Sequence, residues 1–138
     1  MLLAAWLAGI TAFDLASVKA EPNLEKRAEK AMGNAYAACD RARESYQAGD
    51  DARFRVSLEE VRESVNLALE SLEQTGKDPR KKPKHFKRME QSTRGLLKKL
   101  SGLGDSVSVN HRDSVEEVKA RVQQVQDDLI QGILTKSK

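Results

Sequence analysis

Apolar side chains recur at intervals of three and four from about residue 23 to residue 134, and the pattern restarts three times. Such spacing puts one face of an α-helix in a core and the other in water. The first stretch carries Ala28, Ala31, Ala35, Ala38 and Ala42, flanked by Met32, Cys39 and Tyr46. A seam of small residues lets a neighbouring helix approach closely. The second repeats Phe54, Leu58, Val61, Val65, Ala68 and Leu72, with Leu69 beside them. The third has Phe86, Met89, Thr93, Leu96, Leu100 and Leu103, widened by Leu97. The fourth has Val115, Val118, Val122, Val125 and Leu129, with Ile133 near its end. No period-two pattern of a half-buried strand occurs.

The stretches between the stripes carry turn chemistry. Gly49 and Gly76 follow the first two stripes, where a left-handed residue ends a helix. Asp50 or Asp51 caps the second helix, and Pro83 suits the first position of the third, where its missing N–H is harmless. Ser108 and Asp113 compete to cap the fourth; Asp113 with Glu116 resembles a capping box. The spacing predicts helices over about residues 23–48, 51–75, 83–103 and 109–134. At about 1.5 Å per residue these are rods of roughly 30–37 Å. Short first and third connections favour antiparallel neighbours. The expected fold is all-α, an antiparallel up-down-up-down four-helix bundle. A three-helix arrangement that dimerises is the alternative, and near-heptad, coiled-coil-like spacing is compatible with self-association.

Ahead of the first stripe, residues 1–13 read MLLAAWLAGITAF, an apolar run too short to span a bilayer as a stable helix. Val18-Lys19-Ala20 follows, with compact residues where a signal peptidase reads. Residues 1–20 are expected to be a signal peptide, and residues 21–138 a single exported domain, periplasmic or secreted. No Lys or Arg precedes the apolar run, and Ile10 stands where a lipidated cysteine would be after Leu7-Ala8-Gly9.

Composition sharpens this picture at one point. The net charge is only +3, but it is unevenly spread. Residues 1–76 carry net −4, and residues 77–138 carry net +7. Such asymmetry bears on partners and solubility rather than on fold.

The chemistry that would mark an enzyme is sparse. The chain has two histidines, His85 and His111, and one cysteine, and it lacks a Gly-rich phosphate loop, HExxH, CxxC or nucleophile elbow. His111 precedes Val115 by one turn and has no companion at metal-ligand spacing, so a capping or packing role is expected. Met32 and His111 fall at opposite ends of an antiparallel bundle and could not share a haem iron. No Glu-x-x-His element of di-iron bundles occurs. Glu59, Glu60, Glu63, Glu116, Glu117, Asp127 and Asp128 flank the stripes and read as solvated faces. Cys39 reads as a buried thiol, although a lone cysteine that reached the surface of an exported protein could link two copies. No catalytic residue, metal or cofactor is assigned.

One segment stands out. Residues 77–88, KDPRKKPKHFKR, hold seven cations against one anion: Lys77, Arg80, Lys81, Lys82, Lys84, Lys87 and Arg88 against Asp78. Lys98 and Lys99 carry the charge further along the third helix. Cations at a helix start oppose the macrodipole, so local helix stability does not account for them. A solvated loop is the plain reading. The functional one is an anion-binding patch for lipid headgroups, envelope polysaccharide or an acidic protein. Nucleic acid is not expected, because export removes it and only Phe86, needed in the core, could stack on bases.

The stretch DPRKKPKHFKRMEQSTRGLL (78–97), with the later SVEEVKARVQQVQDDLIQGI, is similar to small exported helical proteins of soil bacteria. That resemblance implies secretion and a helical fold, and brings no activity, ligand or site residue with it. The sequence therefore points to a non-enzymatic structural or interaction protein of the bacterial envelope, acting on an unidentified protein partner or on itself. The alternative is a binding module that docks anionic lipid or polymer through residues 77–88.

Overall fold

The computed structural model describes residues 15–135. The expected apolar signal run, residues 1–13, lies outside the described residues. Every regular element among the described residues is an α-helix: α1 (Leu15–Lys19), α2 (Leu24–Gln47), α3 (Asp51–Gln74), α4 (Lys84–Ser106) and α5 (Val109–Leu134).

The helix ends follow from local chemistry. The Asn23 side chain accepts from the Lys26 N–H at 2.9 Å, and Asp50 accepts from Arg53 at 3.0 Å, each capping the helix that follows. Gly49 (φ 73°) and Gly76 (φ 70°) take the left-handed conformation. At the first stop the Gly49 N–H bonds Tyr46 O and the Asp50 N–H bonds Ser45 O, a Schellman closure that satisfies two orphan carbonyls. α4 runs three residues past its expected end at 103, through Gly104 to Ser106. Leu103 and Val107 are buried there, and bare Gly104 lets Val115 of α5 sit against the backbone, so packing carries the helix onward.

The four long helices form two hairpins, α2–α3 and α4–α5, laid side by side. α2 and α3 pack most extensively. Their seam is built of small side chains: buried Ala31, Ala35, Ala38 and Ala42 on α2, and buried Ser57, Ser64, Ala68 and Ser71 on α3. Larger side chains (Phe54, Leu72, Leu96, Leu100, Leu103 and the valines of α5) fill the middle. α1 adds Val18 to this core.

One expectation needs correction. The chain reverses direction at each connection, but not every neighbouring pair is antiparallel. Contacts between α2 and α4 advance together along both helices: Glu29 with Arg88, Tyr36 with Ser92, Asp40 with Lys99 and, just past the end of α4, Tyr46 with Ser108. Between α3 and α5, Asp51 meets His111 and Asn66 meets Arg121. These two pairs are parallel, while α3 and α4, joined directly in sequence, barely touch. The physical reason lies in the middle connection. Its nine residues, 75–83, can reach about 30 Å, well over the diagonal of a bundle whose neighbouring axes lie about 10 Å apart. The link therefore crosses the end of the molecule, where Pro79 seats against Gly132 of α5.

Candidate anion-binding surface

The crossing link is the basic segment. Asp78 shapes it: its carboxylate accepts from the Arg80 N–H at 2.9 Å, and its carbonyl from the N–H groups of Lys81 and Lys82. The one anion in the segment thus builds the turn. Thr75 closes the preceding helix, its hydroxyl bonding Leu72 O and accepting from the Lys77 N–H.

The seven candidate cations divide into two groups. Lys77 donates to Glu25 at 2.6 Å, and Arg88 pairs with Glu29, so both are tied to α2. His85 also faces Glu25, at 3.5 Å. The hydrogen bond from Lys77 holds the Glu25 carboxyl below its ordinary range, against the opposing effect of burial and with help from the charges of His85, Lys77 and Lys84. The other five, Arg80, Lys81, Lys82, Lys84 and Lys87, are exposed and make no side-chain hydrogen bond or ion pair among the described residues. The structure therefore brings all seven together at one end, with two serving as struts and five facing water. Glu25, Glu29 and Asp78 are parts of this surface that the sequence pattern did not mark. Charge complementarity gave a faint signal for the first two, visible only once α2 and α4 are known to be parallel neighbours.

Lys99 is not part of the surface. It bonds Asp40 at 2.7 Å and lies 5.9 Å from the Tyr36 ring centre, further along α2. Beside the basic end a groove of about 270 Å³ opens between α2 and α4, floored by Met32, Leu72 and Met89 and rimmed by Glu25, Glu29 and Arg88. Its rim charges are already paired, Glu29 with Arg88 and Glu25 with Lys77.

The remaining candidates fall elsewhere. His111 sits at the opposite end, edge-on to Tyr46 and Phe54, with Ser108 Oγ 2.8 Å from Nδ1 and Asp51 Oδ1 2.9 Å from Nε2. That is packing and bridging, as its stripe position suggests. Cys39 is buried, and burial pushes its thiol pKa up despite nearby Lys99. Among the described residues no group of three or more His, Cys, Asp or Glu side chains is placed to hold a metal ion. No described helix is long and apolar enough to cross a membrane.

Comparison with protein-family models, curated proteins and solved structures finds no match.

Proposed function

We propose that this protein is an exported, non-enzymatic interaction module of the bacterial envelope that works through its basic end. The mature chain would begin at Glu21, and its four long helices would form the whole domain, a four-helix bundle. The observation that carries the reading is the set of five exposed cations on a braced loop and the first turn of α4. A merely solubilising loop has no need for an Asx turn, a proline seated on a neighbouring helix, and two ion-paired struts. Holding the backbone that carries these charges in place lowers the entropy cost of meeting an anionic partner. Export rests on the apolar run followed by Val18-Lys19-Ala20. Cleavage there would take α1, and with it Val18, out of the core.

The test is recovery of partners from envelope extract at low and high salt, together with the mass of the chain purified from its host. A salt-sensitive partner and a chain starting at Glu21 support the reading. A chain retaining Met1 in the cytoplasm would overturn export. Capture that ignores salt would move the contact away from the basic end, to a helix face or a second copy of the chain.

A further inference from the structure

We infer that the end of the molecule formed by the crossing loop and the close of α5 docks on the surface of an anionic lipid bilayer, with the helices standing away from it. This rests on the proposed function and names the partner of the same surface. The first observation is charge: Arg80, Lys81, Lys82, Lys84 and Lys87 are exposed at one end and make no side-chain hydrogen bond or ion pair among the described residues. Each basic residue that reaches an anionic membrane strengthens binding about fivefold, within a Debye length of the surface.

The second observation is apolar. Pro79 packs on Gly132, so the loop lies against the last turn of α5, and Leu134 at the end of that turn is 74% exposed. An apolar side chain beside a cluster of cations suits the boundary between headgroups and acyl chains. A hydrated polysaccharide offers it no such environment, so of the two anionic partners the bilayer is the one that uses both the cations and Leu134.

The experiment uses the full-length chain with vesicles of phosphatidylcholine alone and of phosphatidylcholine with phosphatidylglycerol, and with dextran sulfate as a polymeric anion. Neutral vesicles measure what residues 1–13 contribute. The inference expects an excess of binding to the anionic vesicles at low salt that is lost near 1 M salt, where screening acts within about 3 Å. Replacing Arg80, Lys81, Lys82 and Lys84 together with Gln should weaken that excess on the order of a hundredfold or more. Leu134→Ser should weaken vesicle binding several-fold and leave dextran sulfate binding unchanged. The salt series on the wild type stands even if the quadruple variant folds poorly. Binding to dextran sulfate with no preference for anionic vesicles would overturn the bilayer inference and leave the proposed function standing. Binding to neither would overturn both. A Leu134→Ser chain that binds anionic vesicles like the wild type would overturn the end-on arrangement.

Discussion

The side-chain amide of Gln126 donates to the carboxylate of Glu90 at 3.0 Å, across the seam between α4 and α5. Glu90 is 7% exposed, and Arg94 one turn on holds the same carboxylate through two nitrogens. Burying a carboxylate is costly unless its lone pairs are met, and here donors from both helices meet them. The pair fixes the register of the second hairpin at a point where an apolar contact would let the helices slide.

The same contact predicts a pH dependence. Hydrogen bonding from Arg94 first, and from Gln126 after it, keeps the Glu90 carboxyl below its ordinary value of 4.5 although burial pushes the other way. A carboxyl whose folded pKa is depressed stabilises the fold fully above the unfolded value and loses that contribution as pH falls through the folded value. Stability should hold between pH 5 and 7 and decline below about 4.5. Glu90→Gln should cost about 1–2 kcal/mol at pH 7 and make the decline shallower. Urea unfolding at pH 7 and pH 3.5 measures both. An unchanged acid slope in the variant would remove Glu90 from the account.

A second buried polar contact holds the first hairpin. Asn34 is 2% exposed, and its amide donates to Glu60 Oε2 and to Ser64 Oγ, each at 2.9 Å. Glu60 is also held by Arg41. Asn34→Asp removes both donors and sets a second carboxylate beside Glu60 in a seam of alanines and serines. It should destabilise by about 2–4 kcal/mol at neutral pH, recovering in part in acid as the new carboxyl takes up a proton. Thermal melts at pH 7 and pH 5 test it.

These polar anchors mark where the sequence stops being legible. The stripes of apolar residues and the stops at Gly49 and Gly76 can be read directly, because each depends on residues within a few positions of one another. Ser57, Ser64 and Ser71 recur every seven residues beside the α3 stripe, yet a serine reads as solvent-facing unless a small-residue partner is known to press on it. Asn34, Glu90 and Gln126 look like surface residues for the same reason. The basic segment is plain in the sequence. Its division into struts and free cations is not, since Lys77 and Arg88 find Glu25 and Glu29 only after the loop has crossed the bundle and made α2 and α4 parallel neighbours. Five residues of the expected signal segment, Leu15–Lys19, form a helix that buries Val18, a packing choice no local pattern announces.

Cys39 should be inert in the folded chain. It is 2% exposed within the core, and burial raises its thiol pKa, so little thiolate forms near neutral pH. A colourimetric thiol reagent at pH 8 should react fully only after denaturant is added, and non-reducing electrophoresis should show a monomer. Fast labelling of native protein would mean that the α2 seam opens readily, or that Cys39 lies nearer the surface than the packing shows.

The fourth stripe gives the severest single test of the core. Val122 is 0% exposed, midway along α5 and between Val118 and Val125, which are also buried. Valine is a modest helix former, so this helix is held by what its valines bury rather than by intrinsic propensity. Val122→Asp forfeits about 2 kcal/mol of apolar burial and adds a carboxylate with no donor nearby, for a further few kcal/mol. The sum is a large part of the roughly 5–15 kcal/mol that a domain of this kind has to lose. The variant should be largely unfolded at 37 °C by circular dichroism. Ala120→Asp, on the exposed face of the same helix, should cost no more than about 1 kcal/mol. Two similar melting curves would mean that α5 presents a different face to the core.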